Sequence, residues 1–241
     1  MTPRPALPAA LAVLVLSAVP AAAQDAVAGI AGLLGSDSLS LTSVQLIALL
    51  TVLSLAPGIA VTVTCFPFVV TVLSILRQAI GLQAAPPNML IVSLALFLTY
   101  FVMEPVATIA WEDGIRPWTQ GAMEMADAVP RAIAPFRAFM EGRVDPDTFA
   151  HLSDLRPDAE PGALSVLIPS FMLSEIARAF QIGFLVFMPF LIIDMVVAAV
   201  LMSMGMMMVP PAIVSLPFKL AFFVAVDGWA LIAGALVAGY H

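Results

Sequence analysis

Apolar residues along this chain gather into four blocks, at residues 44–76, 88–110, 164–209 and 212–238, with a polar interval between the second and the third. A bilayer-spanning helix takes about 20 residues, so the first and third blocks are longer than one simple span. Prolines account for the excess. Pro57-Gly58 and Pro67 interrupt the first block, and Pro169 and Pro189 divide the third. Each proline removes a backbone donor and frees a carbonyl that hydrocarbon cannot satisfy. Broken helices at membrane depth persist only where protein or a water-filled cavity supplies the missing partners. The pattern therefore predicts an all-α fold of integral-membrane-type kinked helical hairpins that need neighbours, either copies of the chain or related chains.

The polar interval, residues 111–162, holds ten acidic residues against five arginines, Arg116, Arg131, Arg137, Arg143 and Arg156. It reads as an excursion from the membrane, helical around 119–128 and 131–141 and punctuated by Pro146, Pro157 and Pro161. Phe136 and Phe139 are candidates for packing against sister subunits. Ahead of the first block, residues 1–23 read as a secretory signal: Arg4, an apolar core at 7–19, and Ala21-Ala22-Ala23 for cleavage. That core is too short for roughly 30 Å of hydrocarbon. Residues 24–43 form a linker, 44–110 the N-terminal hydrophobic helices, and 163–241 a C-terminal helical hairpin with a loop at its tip. A cleaved signal makes the 111–162 excursion extracytoplasmic; the arginine count argues the reverse, but long excursions translocate largely regardless of charge.

Composition narrows the class. The chain is 62% hydrophobic and 10% charged, against roughly 45–50% and about 25% in an average soluble domain. It cannot cover itself with polar surface, so it belongs to a membrane or to a membrane assembly. A formal net charge of −7 points away from nucleic acid. The single Cys65 excludes an internal disulfide and a thiolate metal cluster, and His151 and His241 are too few for a histidine-rich metal site. No H-E-x-x-H, G-x-S-x-G or P-loop motif is present. The expectation is no enzyme, no catalytic residue, no metal and no cofactor.

Two features of the apolar blocks carry candidate chemistry. Glu104, Glu175, Arg178, Asp194, Lys219 and Asp227 are charges in or beside them, and a charge at bilayer depth needs a partner. Glu175 and Arg178 are three apart and can pair on one helical face, with Gln181 extending the stripe. Lys219 has no acid three or four residues away, so Glu175 or Asp194, of this chain or a neighbour, are its candidates. Such charges fasten subunits, are tolerated at a membrane edge, or carry ions. The second feature is Met202, Met204, Met206, Met207 and Met208, crowded ahead of Pro210-Pro211, where the chain should leave its helix. Flexible thioethers at a turn could close a pore and yield to a passing polypeptide, or could fill gaps between helices. Gly234 with Ala238, and Ala235 with Gly239, place small residues four apart, which permits close helix approach.

Several stretches resemble the FliP family of flagellar biosynthesis proteins of the type III export gate, and its injectisome counterparts: PSFMLSEIARAFQIGF (169–184), PFLIID (189–194), GMMMVPP (205–211), LPFKL (216–220), VDGW (226–229), APPN (85–88) and LALFLT (94–99). The resemblance covers roughly residues 44–240. It implies a core pore-forming subunit that assembles as several copies, with FliQ-like and FliR-like partners, into a helical, cone-shaped gate in the bacterial inner membrane at the flagellar basal body. Unfolded export substrates would pass through it, and FlhA-like and FlhB-like proteins would complete the apparatus. It further implies that Met206, Met207 and Met208 form the pore gasket and that Glu175 and Lys219 make an inter-subunit salt bridge. Arg178, Asp194 and Asp227 are expected to be further buried charges. The family also implies that helices reading as transmembrane can sit above the bilayer plane after assembly. Cys65-Phe66-Pro67-Phe68 departs from the Ser-Phe-Thr-Arg common in relatives. An injectisome homologue and an ion-coupled transporter using Asp194 and Lys219 are the alternatives.

Overall fold

A computed structural model describes residues 39–82, 85–160, 162–206 and 208–240; the expected signal, most of the linker, and Met207 lie outside the described residues. Every regular element among these is helical. The first, α1 (Leu39–Thr62), runs through Pro57 instead of breaking there. Residues up to Pro57 belong to one compact unit, in which Leu46, Ile47, Leu50 and Leu55 are exposed, and residues from Gly58 onward to a second.

The second unit is built around α2 (Phe66–Ile80). Pro67 starts this helix, where a missing N–H costs nothing. Val69, Val72, Leu73, Leu76, Ala79 and Ile80 are all buried. At 15 residues and about 22 Å, α2 is too short to span hydrocarbon, and it is sheathed by other helices. Those are α3 (Asn88–Ala110), α7 (Leu164–Ser203), α8 (Pro211–Ala225) and α9 (Gly228–Ala238), which contribute Ile91, Ala95, Phe190, Phe223 and Leu236 to the same core. The tightest approach is at Gly183 of α7, where a Cβ would lie 2.4 Å from Ile75 Cδ1 of α2. Only glycine lets the two backbones come this close.

Proline breaks fewer helices here than the sequence predicts. The third apolar block is one 40-residue helix, α7, with Pro169 and Pro189 inside it. Packed and apolar surroundings leave the backbone no better alternative than to stay helical around a missing donor. The second block matches α3 to the residue, but the helix does not stop at its polar end. It continues through a π-turn (Trp111–Ile115) into α4 (Arg116–Thr119). By length and composition, 88–119 and α7 can each cross a membrane; α8 with α9 makes a third span if this pair, bent by 61°, counts as one.

The polar interval folds onto this body. α5 (Met125–Glu141) is continuous through Pro130 and Pro135, so the helix expected at 119–128 begins only at Met125. α6 (Pro146–Asp154) is capped by Asp145, whose Oδ2 accepts from the Thr148 hydroxyl at 2.7 Å and from its N–H at 2.9 Å. These two bonds hold the Asp145 carboxyl below its ordinary range. Met140 of α5 packs with Leu167 and Phe171 of α7 in a second small core, and Phe139 lies edge-on to Phe171. Phe139 is thus engaged within its own chain.

Candidate functional site

The methionine-rich tip is shaped by glycine as much as by proline. α7 ends at Ser203, and the N–H groups of Gly205 and Met206 donate to the carbonyls of Met202 and Leu201, at 3.1 and 3.0 Å. With Gly205 at φ 76°, this is a Schellman close, which satisfies two orphan carbonyls and needs a left-handed residue. The sequence reading ended the helix at Val209; Gly205 ends it earlier, so Met204 to Met208 belong to a loop and not to two helical turns. Pro211 then opens α8. Met208 is 97% exposed, and Met204 is also exposed. Beside the loop, Ile192, Val196, Val200, Met204, Met206 and Phe218 line an apolar groove of about 600 Å³ between α7 and α8. Met207, the third expected gasket residue, lies outside the described residues.

Near this tip, Lys219 is 5% exposed and donates to Asp194 Oδ2 at 2.6 Å and to the Ala79 carbonyl at 3.1 Å. Ser215 donates to the other Asp194 oxygen at 2.5 Å. One ammonium therefore ties α8 to α7 and to the end of α2. Of the two acids the sequence offered Lys219, the chain itself supplies Asp194.

Glu175 is fully buried in a different cluster. Its carboxylate accepts from Arg143 Nε at 3.0 Å and from the Tyr240 hydroxyl, with Arg178 at 3.7 Å. Arg143 also donates to the Gly239 carbonyl at 3.0 Å, and its guanidinium lies 3.7 Å over the Tyr240 ring. Residues of the polar interval, of α7 and of the segment after α9 thus meet on one carboxylate. Asp194 lies five turns further along α7 than Glu175, about 28 Å away. The chain does not bring Glu175 and Lys219 together; each is satisfied elsewhere.

The other charges divide. Arg178 and Asp194 keep side-chain exposures of 41% and 36%, and Asp227 is exposed at the corner between α8 and α9. Within a single chain the expected burial of Asp227 does not hold, because the turn points its side chain outward. Glu104, midway along α3, is exposed as well. Sequence reasoning missed Arg143 and Tyr240. They stand 32 and 65 positions from Glu175, and no local spacing links them. The only available hint was the rule that a buried carboxylate must be paired.

These features define a class: an all-helical, membrane-type protein whose few polar groups fasten its own helices and whose exposed hairpin tip carries methionine. The FliP family profile matches residues 49–236, and the chain belongs to that family. It is 48% identical over 244 residues to the flagellar biosynthetic protein FliP of Caulobacter vibrioides, covering 99% of this chain and 91% of that protein. It is 46% identical to the protein of the same name from Rhizobium meliloti, with 82% and 83% covered. Against the Bacillus subtilis protein the identity is 43%, with 83% and 92% covered.

Proposed function

We propose that the chain is a pore-forming subunit of the flagellar type III protein export gate, passing unfolded flagellar proteins across the bacterial inner membrane at the basal body. Membership of the FliP family and relatives named for flagellar biosynthesis support the flagellar cargo over an injected effector. The observation that carries the gating role is the Schellman-closed tip, which presents Met208 almost wholly exposed beside an apolar groove. Met206, Met207 and Met208 of several copies form the seal: soft enough to reshape around a polypeptide, apolar enough to exclude ions when idle. The role is not enzymatic, and the driving energy comes from partner proteins. Those partners are FliQ-like and FliR-like subunits in the gate and FlhA-like and FlhB-like proteins beside it. Residues 1–23 are removed as a signal, 24–43 link it to the helices of 44–110, 111–162 is extracytoplasmic, and 163–241 carries the gasket hairpin.

The Glu175–Lys219 bridge between copies belongs to the same reading. It requires both side chains to exchange their present partners on assembly, with neighbours staggered along the α7 axis. Lys219→Glu then impairs assembly and Glu175→Lys partly restores it. Restoration absent, the two residues act only within their own chain. The function itself is tested in a motile bacterium lacking its own copy. Supplying this chain should restore secretion of flagellar filament protein, and secretion left at the deletion level overturns the reading.

A further inference from the structure

The corner between α8 and α9 is a built feature. Asp227 holds a left-handed backbone, φ 49° and ψ 52°, uncommon for a residue with a side chain. Gly228 follows because a Cβ there would meet the Phe223 ring at 2.2 Å. Phe223 in turn stands edge-on to Trp229 at 5.4 Å. This wedge leaves the Asp227 carboxylate exposed within a stretch that, taken as one bent span, is apolar enough to cross a membrane. Among the described residues that carboxylate makes no hydrogen bond and no ion pair. Val226 and Gly228, its sequence neighbours, line an apolar groove of about 380 Å³ walled also by Leu185, Pro189, Phe222 and Leu231.

We propose that Asp227 and this groove form a docking point for a membrane helix of a different polypeptide, one carrying a lysine or arginine among apolar residues. A carboxylate at bilayer depth calls for a cation. The described cations of this chain's own apolar helices are already engaged: Arg77 with the Pro86 carbonyl and Asn88, Arg178 with Glu175, and Lys219 with Asp194. A second copy therefore brings no free cation to the corner. A basic residue on a foreign apolar helix matches both halves of the site, its alkyl stem lying along the groove and its charged head reaching the acid. The inference stands apart from the gate reading, because docking is measured without export.

The test uses the full chain in phosphatidylcholine vesicles, with Trp111 and Trp118 replaced by Phe so that Trp229 is the remaining donor. The probe is a synthetic leucine-rich transmembrane peptide with one central lysine and a dansyl acceptor. Saturable energy transfer is expected, weakened at least tenfold by Asp227→Asn, because asparagine tolerates the left-handed backbone and removes only the charge. The same loss is expected when the peptide's lysine is replaced by leucine, a comparison that leaves the protein untouched. Equal affinity for the two peptides, or for the two proteins, overturns the proposal. So does a drop in self-association of the Asp227→Asn chain alone, read by native mass spectrometry, since it would assign the carboxylate to a second copy.

Discussion

Breaking the Lys219–Asp194 pair from its two sides should have unequal consequences. Asp194→Asn leaves an ammonium that is 5% exposed facing a neutral amide and one backbone carbonyl. Removing one partner of a buried pair costs about 3–5 kcal/mol, because the remaining charge stays desolvated. Lys219→Met leaves a carboxylate whose side chain is 36% exposed and which keeps the Ser215 hydroxyl. Solvent relieves that charge, and the main residual penalty is the unpaired Ala79 carbonyl, about 1–3 kcal/mol. The order expected is therefore Asp194→Asn worse than Lys219→Met by about 1–2 kcal/mol. The double variant Lys219→Met with Asp194→Leu should lie well above the sum of the single losses, since an apolar pair carries no desolvation debt. Denaturation in mixed detergent micelles, followed by circular dichroism, supplies all four corners of the cycle. Additive losses, or equal losses from the two sides, would refute the argument that this pair is a buried fastener.

Tyr240→Phe keeps the ring under Arg143 but removes the hydroxyl donated to Glu175. A loss of about 1.5–3 kcal/mol in the same assay is expected for a bond to a charged group, and a change near zero would sink it. Gly183→Ala drives a methyl into Ile75 and should cost about 1–3 kcal/mol. Ile75→Val, which removes the nearest atom, should recover part of that loss, and no recovery would mean that the contact is not the cause. The Asp145 carboxyl should titrate below the usual ~3.9, because its depressed value belongs to the folded cap. Its contribution to α6 is accordingly present above the unfolded value and is lost as pH falls through the folded one. Carbonyl-detected NMR should show Thr148→Ala raising that midpoint, and an unmoved midpoint would remove the hydroxyl as the cause.

What was legible in the sequence follows the physics that local pattern encodes. The block at 88–110 coincides with α3 because it is uninterrupted from Asn88, next to Pro86-Pro87, and apolar throughout. Pro57, Pro169 and Pro189 misled, since proline's cost is set by what else the backbone could bond to, and tertiary context decides that. The end of α7 was visible in principle, as Gly205 after an apolar run is a stop signal, but the double proline beyond it drew the boundary too late. The corner at Asp227 was hidden within a block that reads as one apolar stretch. The acid for Lys219 was narrowed to two residues, and the fold chose Asp194. Arg143 and Tyr240 became partners of Glu175 only through tertiary packing, which no spacing rule reaches.

The central claim is that methionines at the α7–α8 tip close a passage through an assembly of such chains. Single-channel recording of the reconstituted, assembled gate in planar bilayers tests it most directly. Replacing Met206, Met207 and Met208 with alanine should convert a silent membrane into one with steady ion current while the assembly keeps its subunit number by native mass spectrometry. Conductance indistinguishable from the unaltered assembly would contradict the account.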